Sequence, residues 1–278
     1  MASFSSQVKK ELSEINNLSN KELVKAELMG YITTNSSKKF STSSQYNINR
    51  YSKLLNNIGE NDFSISIKGN NYEIKTKNNI EISQEIKNDE QKKALIRGAF
   101  LGAGTITNPE SVYHLEIAFE KEEYANLIKN ILEEMEISSK IIKRDNKNLL
   151  YIEDGDNISK FLAFIGANKS VLKFEDTRVM KDVRNNINRL VNCETANLNK
   201  TINSAVKQID KIKLIKSKKR FKELSEKEQQ LAELRLKNPH ASLVSLGSML
   251  TPPLSKSGVN HRMNSIMKFA DKLTRGDE

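Results

Sequence analysis

Two glycines four residues apart, within residues 94–104 (ALIRGAFLGAG), place the strongest constraint on how this chain folds. In an α-helix, Ala94, Gly98 and Gly102 lie one turn apart on the same face and form a strip with almost no side chain. A glycine inside a helix costs about 1 kcal/mol relative to alanine. Small residues one turn apart allow a second backbone to approach closely. The segment therefore predicts a helix packed tightly against a partner, although an ordinary buried helix with chance glycines would show the same pattern.

The partner is predicted upstream, because residues 26–34 (AELMGYITT) repeat this spacing. Two like helices with matching strips are expected to pack as a pseudo-symmetric pair. The six positions predicted to form the contact are Ala26, Gly30 and Thr34 in the first helix and Ala94, Gly98 and Gly102 in the second.

The elements that follow each helix support an internal repeat. Four short runs alternate apolar and polar residues, and the turn residues GNN and DNK join them into two predicted hairpins. The four runs are residues 63–68, 72–77, 140–144 and 149–153. We therefore predict an α+β domain of two α-β-β-α-β-β repeats, at about residues 20–80 and 90–165.

The glycine-rich helix also carries a family resemblance. Residues 96–104 (IRGAFLGAG) resemble the nine-residue helix motif of LAGLIDADG homing endonucleases, and residues 28–36 resemble a more degenerate copy. In that family the acid at the eighth motif position holds the divalent metal for DNA cleavage. Here the two motif acid positions are Asn35 and Ala103. Since Mg²⁺ is normally anchored by carboxylates, we expect a nuclease scaffold with no catalytic residues, no metal and no cofactor; the alternative, an active nuclease, would need another nearby acid such as Glu116.

Charge points to a polyanionic partner. Lys and Arg number 45 against 35 Asp and Glu, and the net charge is +10. Such an excess suits nucleic acid, although many basic proteins have no such role. A non-catalytic adaptor or RNA-binding protein remains an alternative. It is disfavoured because the chain has no Trp and no clustered aromatic residues on which RNA bases could stack.

The single cysteine and the absence of long apolar runs indicate the compartment. Cys193 alone excludes an internal disulfide and a zinc site built on paired cysteines. No apolar run approaches the length of a membrane span. We expect a cytoplasmic, nucleoid-associated protein with no membrane partner.

Residues 176–210 predict two helices joined by a break at residues 192–197, where several N-capping residue types lie together. Each helix has one apolar stripe. The stripes are Val179, Val183, Ile187 and Leu190 in the first helix, and Leu198, Ile202, Ala205, Val206 and Ile209 in the second. Residues 211–222 carry seven basic residues and no acid, and we interpret them as a flexible linker. The basic residues of this connector form either a solvated face or DNA contacts.

The C-terminal segment predicts three helices, at residues 226–237, at residues 243–250 and from Ser255 to about Leu273. Ser242 and Ser255 are the expected caps of the second and third. The sequence Thr251-Pro-Pro forces a turn between them. A tight turn before the last of three helices is typical of a helix-turn-helix, whose final helix enters the major groove. We therefore predict a helix-turn-helix from about Ser242 to Leu273, although a small three-helix protein-interaction bundle would have the same burial pattern.

The third helix separates an apolar stripe from a polar ridge formed by Lys256, Asn260 and Asn264. Lys and Ser suit phosphate oxygens, and Asn can bond an adenine edge with two hydrogen bonds. The ridge therefore favours DNA over a protein partner. The predicted DNA-binding residues are Ser242, Ser255, Lys256, Ser257, Asn260, His261, Arg262, Asn264 and Lys268.

Taken as a whole, the chain resembles the WhiA family of bacterial regulators. The resemblance is carried by residues 97–104, residues 113–117, residues 188–201 (NRLVNCETANLNKT) and residues 254–262 (LSKSGVNHR). It implies a transcription regulator that binds promoter DNA through the helix-turn-helix and acts on cell division, chromosome segregation or, in some lineages, sporulation. It also implies RNA polymerase or a sigma factor as a protein partner. The expected domains are residues 1–172 (LAGLIDADG-like), 173–222 (helical connector and basic linker) and 223–278 (helix-turn-helix).

Overall fold

The computed structural model describes residues 3–35, 37–82 and 84–275. The chain forms two compact units, the first ending at Val183 and the second beginning at Arg184. None of the described helices is long and apolar enough to cross a membrane.

The N-terminal unit contains the two predicted repeats. It opens with helix α1 (Phe4–Ser13), whose Phe4, Val8 and Leu12 are buried. The first repeat consists of α2 (Lys21–Thr34), β1 (Lys39–Thr42), α3 (Gln45–Asn57), β2 (Phe63–Lys68) and β3 (Asn71–Thr76). The second consists of α4 (Asp89–Ala103), β4 (Gly104–Ile106), β5 (Leu115–Phe119), α5 (Glu122–Glu134), β6 (Lys140–Arg144), β7 (Lys147–Ile152) and α6 (Gly155–Ile165).

Both sheets are antiparallel, and both predicted hairpins are present. The strand orders are β1-β3-β2 in the first repeat and β4-β5-β7-β6 in the second. The first repeat differs from the prediction, because its described residues hold one strand between the helices instead of two. The chain between α2 and α3 is much shorter than that between α4 and α5, so it has room for a single four-residue strand.

The helices α2 and α4 begin at side-chain caps and pack against each other through their small residues. Asn20 accepts hydrogen bonds from the backbone of the first turn of α2, and Asn88 does the same for α4. A Cβ atom built on Gly30 would overlap the Leu95 carbonyl oxygen, and one built on Gly98 would overlap the Glu27 carbonyl oxygen. The two backbones are therefore in direct contact, which only glycine permits at these points.

A buried ion network lies beside this contact. Glu27 on α2 is fully buried, and both its oxygens accept hydrogen bonds from Arg50, at 2.8 Å each. Arg97 of α4 lies 3.4 Å from the same carboxylate and donates to the Ile165 carbonyl at 2.9 Å. Burial is the main cause that lowers the pKa of Arg97. Because Arg97 joins α2, α4 and the end of α6, the network fixes the relative position of three helices.

Helix α7 (Asn168–Ser217) is continuous and corrects two expectations. The predicted break at residues 192–197 is wrong, because this segment has neither Gly nor Pro to end a helix and its polar side chains are exposed there. The predicted linker at residues 211–222 is wrong up to Ser217, because Ile212 and Ile215 are fully buried in the C-terminal unit.

The two apolar stripes predicted for residues 176–210, which now lie on α7, are mostly exposed. Leu198, Ile202 and Val206 are exposed, whereas Ala205 is buried. The face of α7 that packs on the C-terminal unit is therefore rotated from the predicted one and carries Ala205, Gln208, Ile212 and Ile215.

The C-terminal unit continues with a short 3-10 helix (Phe221–Glu223), α8 (Glu226–Lys237), α9 (Leu243–Ser248) and α10 (Lys256–Arg275). Ser225 and Glu228 form a capping box at the start of α8. These three α-helices correspond to the predicted ones, and α8 has the predicted limits.

The ends of the last two helices differ from the prediction by two residues each. Helix α9 ends at Ser248, earlier than the expected residue 250. The third helix was predicted to end at about Leu273, and α10 continues two residues further, to Arg275. Leu273 is partly buried and packs against the C-terminal core, and the Thr274 hydroxyl donates to the Ala270 carbonyl at 2.9 Å. These contacts hold the last turn, so the helix extends past Leu273.

The backbone contact of α2 and α4 makes a stability prediction. Replacing a helical glycine by alanine ordinarily stabilises a protein, but Gly98→Ala should lower the free energy of unfolding by about 1–3 kcal/mol, the usual cost of overpacking. Urea unfolding followed by tyrosine fluorescence measures this, since all seven tyrosines lie in the N-terminal unit.

Gly102→Ala is the matched control on the same helix. Its Cβ would meet the side chains of Thr34 and Asn35, which can rotate, instead of a backbone atom. Gly102→Ala should therefore lower the free energy of unfolding by clearly less than Gly98→Ala. Equal losses for the two variants would contradict the contact described for Gly98.

Candidate nucleic-acid interface

The C-terminal unit has its own core, to which four helices contribute. Ile212 and Ile215 of α7 pack in one cluster with residues of α8, α9 and α10. The buried apolar residues of the last three helices are Leu231, Ala232, Leu246, Val259, Met263, Ile266 and Ala270, and Leu250, which follows α9, joins them. The end of α7 is therefore part of this unit, a role that the sequence interpretation missed although Ile212 and Ile215 share one helical face.

The turn between α9 and α10 is held by a close backbone approach. A Cβ on Gly247 would overlap the Leu254 carbonyl oxygen, and Leu254 donates its N–H to the Gly247 carbonyl at 3.0 Å. Gly258 faces the Leu254 side chain, which a Cβ would meet at 2.8 Å. Both glycines therefore allow close packing at the turn that joins α9 to α10.

Most of the predicted DNA-binding residues are exposed on α10. Those exposed on the helix are Lys256, Ser257, Asn260, His261, Asn264 and Lys268. Ser242 and Ser255 are exposed too, but their hydroxyls accept hydrogen bonds from Ser245 N at 3.1 Å and Gly258 N at 3.3 Å. Arg262 points to α8 and donates to the Lys227 carbonyl at 3.4 Å. Arg262 therefore does not lie with the exposed ridge residues.

The ridge forms one wall of a cleft of about 430 Å³, which we call the α7 cleft. The wall formed by α7 carries Lys200, Thr201, Ser204, Lys207 and Gln208. The opposite polar wall carries Arg235, Ser242, Lys256, Asn260 and Asn264. The sequence left open whether the basic residues of this connector contact DNA. That α7 forms a wall opposite α10 was not predicted, although its polar residues at positions 200, 204 and 207 recur on one helical face.

A second group of lysines lies on the first sheet and surrounds one carboxylate. The carboxylate of Glu73 lies 2.7 Å from Lys39, 3.2 Å from Lys68 and 3.5 Å from Lys75. These contacts lower the pKa of Glu73 to about 2. The largest cause is the hydrogen bond from Lys39; burial acts in the opposite direction, and the hydrogen bond from Lys68 lowers the pKa further. These lysines therefore hold a protein carboxylate and are not free of counter-charge.

The motif ends, where the homing-endonuclease acids would lie, carry no carboxylate. The Asn35 amide donates to the Tyr31 carbonyl at 3.2 Å and to the Thr34 hydroxyl at 3.0 Å, so it closes the end of α2. Ala103 ends α4. Glu116, the acid considered as a substitute, lies on β5 and is 3.2 Å from His114. Within the described ranges, no group of three or more His, Cys, Asp and Glu side chains is placed to hold a metal ion.

Comparison with known proteins finds a family match in each of the two units. The family model described as the WhiA LAGLIDADG-like domain matches residues 92–184, and that of the WhiA C-terminal HTH domain matches residues 187–270. The chain belongs to the WhiA family. A WhiA-family relative from Clostridium tetani, named "Probable cell division protein WhiA", is 49% identical over 198 residues, which are 71% of this chain and 62% of the relative.

A further relative and a solved structure support the same family. A relative of the same name from Clostridium botulinum is 50% identical over 188 residues, which are 68% of this chain and 60% of that protein. The matched region thus spans about three fifths of the length of these curated relatives. The solved structure of full-length DUF199/WhiA from Thermatoga maritima is 28% identical, with a TM-score of 0.61, and covers 98% of this chain and 99% of that one.

A solved N-terminal LAGLIDADG domain of DUF199/WhiA has a TM-score of 0.53 and 26% identity, and it covers 60% of this chain and 91% of that one. These matches confirm the WhiA resemblance. They also confirm the predicted α+β LAGLIDADG-like domain followed by a helix-turn-helix.

The Glu73 cluster makes a pH prediction. Because the folded pKa of about 2 lies below the ordinary value of 4.5, ionised Glu73 stabilises the fold above about pH 4.5, and this contribution is lost as the pH falls toward 2. Wild-type protein should therefore lose more stability over this range than Glu73→Gln. Urea midpoints from tyrosine fluorescence, measured at several pH values, test this difference.

The control is Glu81→Gln, which removes an exposed carboxylate in the same unit. Its pH dependence should match that of the wild type. If Glu73→Gln also matched the wild type, the lysine cluster would not be holding Glu73 in its ionised form.

Proposed function

We propose that this WhiA protein is a sequence-specific DNA-binding transcription regulator that reads promoter DNA with α10. The observation that carries the proposal is the exposed, acid-free ridge of Lys256, Asn260 and Asn264 on the last helix of a helix-turn-helix. The single carboxylate in α10 is Asp271, which pairs with Lys211 away from the ridge. An Asn side chain can bond an adenine edge bidentately, and lysine binds phosphate.

The proposed DNA-binding unit comprises residues 223–278 together with the end of α7. Support comes from the buried positions of Ile212 and Ile215 in its core. Ser257, His261 and Lys268 flank the ridge and are proposed as further contacts, and Ser242 and Ser255 as contacts near the helix starts. Arg262 is proposed only as a contributor of positive charge, because its side chain lies against α8.

The cellular role that we propose is control of cell division genes. The curated relatives from two Clostridium species are named as probable cell division proteins. A regulator of this kind would act at the nucleoid and would meet RNA polymerase or a sigma factor at its promoters. Sporulation genes are the second expected target class in related lineages.

We further propose that the LAGLIDADG-like domain does not cleave DNA. Mg²⁺ takes oxygen ligands and is usually held by one or two carboxylates. A methyl group at Ala103 and an amide at Asn35 that is already engaged by the end of α2 offer no such ligand.

The reading role of α10 is tested with Asn260→Ala in the full chain. Genomic fragments retained by the wild-type protein at physiological salt are sequenced first, which supplies a preferred duplex. Asn260→Ala should then weaken binding to that duplex by on the order of 1–3 kcal/mol and reduce its preference over random duplex. Fluorescence anisotropy with both duplexes measures the two affinities.

Arg262→Ala is the matched control, two residues away on the same helix. It removes a charge, so it should weaken both duplexes equally and leave their affinity ratio unchanged. If Asn260→Ala also left the ratio unchanged, Asn260 would only position the backbone. Retention of no duplex by the wild type would favour the adaptor alternative.

Loss of cleavage is tested by incubating the protein with its preferred duplex and with supercoiled plasmid in Mg²⁺ or Mn²⁺. Both substrates should remain intact on a gel over hours. Cleavage that disappears in the Glu116→Gln variant would overturn this part of the proposal and assign the acid to the LAGLIDADG-like domain.

A further inference from the structure

The α7 cleft gathers positive charge without a counter-charge. Lys200 and Lys207 of α7 face Lys256 of α10 across it, and the buried Arg235 of α8 lies at the same cleft. No carboxylate is among its lining residues. Across the described ranges, no ion pair engages Lys200, Lys207 or Lys256, in contrast to the lysines around Glu73. Clefts lined by one sign of charge focus the electrostatic field and attract the opposite charge.

Two buried polar side chains at the cleft each have one atom without a hydrogen-bond partner among the described residues. Arg235 is 2% exposed, and its Nη1 donates to the Ala241 carbonyl at 2.6 Å, but its Nε has no acceptor among the described residues. Gln208 is 8% exposed, and no described residue donates to its Oε1. A buried polar atom without a partner is unfavourable by about 1–3 kcal/mol. Both residues line the cleft, so its lining is polar as well as basic.

An anionic oxygen is the partner that suits the donors of these two cleft-lining side chains. It would accept a hydrogen bond from the Nε–H of Arg235. Rotating the Gln208 amide by half a turn exchanges its oxygen and nitrogen, which are indistinguishable in shape, and presents an NH₂ donor at the same point. Burial lowers the pKa of Arg235, and a nearby anion would favour its charged form. Hydroxyls of Thr201 and Ser204 on the same wall offer further donors.

We propose that the α7 cleft binds a backbone phosphate of the duplex whose bases α10 reads. This inference rests on the proposed function. The α7 wall of the cleft lies beside the ridge of the helix that is proposed to enter the major groove. Its lysines are therefore placed to reach the phosphates that line the groove. Phosphate contacts set register and affinity but carry no base information, so Lys200 and Lys207 position the duplex and α10 reads it.

The test uses the full chain with Lys200→Ala and Lys207→Ala, two exposed substitutions that leave the core intact. Affinity for the preferred and random duplexes is measured at several salt concentrations. Each variant should weaken both duplexes by the same factor, and the double variant should reduce the slope of log K against log salt by about 0.9, the value for one released phosphate contact. The ratio of preferred to random affinity should not change.

Lys213→Ala is the matched control, because Lys213 is exposed on the same helix and does not line the cleft. Its salt slope should stay close to that of the wild type. If Lys200→Ala and Lys207→Ala behaved like Lys213→Ala, the cleft would not hold a phosphate of the duplex, while the reading role of Asn260 would stand.

A free anion is the other source of the same chemistry. Titration calorimetry of the DNA-free protein with inorganic pyrophosphate separates the two. Binding that is lost in Lys207→Ala, together with unchanged duplex affinity in that variant, would overturn the proposal in favour of a small-anion site. Wild-type protein that retains no duplex would overturn the proposed function and this inference together.

Discussion

The backbone contact between α2 and α4 is the constraint on which the N-terminal unit depends. Gly30 and Gly98 bring the two helices so close that a single added carbon on either would overlap a carbonyl oxygen of the other helix. This approach also places Glu27 and Arg97 within reach of each other. The ion pair of Glu27 with Arg50 can exist in a dry interior because every charge in it has a hydrogen-bonded partner, and removing one partner of such a pair is strongly destabilising.

Charge is used differently in the two units. On the first sheet, one buried carboxylate holds three lysines, so the positive charge serves the fold. In the C-terminal unit, the lysines of α7 and α10 meet at a cleft without an acid. A net charge of +10 does not distinguish these cases. Only the positions of the acids show which lysines are available to a polyanion.

The motif helices show that helix packing and metal binding depend on different residues. The small residues that pack the helices lie at positions 30, 98 and 102, whereas the two motif acid positions hold Asn35 and Ala103. Packing depends on the absence of side chains, and metal binding depends on specific carboxylates, so the two properties can be separated by substitutions at the helix ends. In this WhiA-family chain, the DNA-binding role that we propose lies in the helix-turn-helix.

Local periodicity determined much of this structure from the sequence alone. The small-residue strips, the two hairpins and the three C-terminal helices follow from patterns within a few residues, and they were predicted at close to their observed limits. The continuity of α7, the single strand β1, the turning of Arg262 to α8 and the α7 cleft were decided by the tertiary structure. A periodic pattern shows that a helix has an apolar or polar face, but what lies opposite that face comes from residues distant in the chain. Lys207 and Asn260 are far apart in sequence, and only folding places them at one cleft.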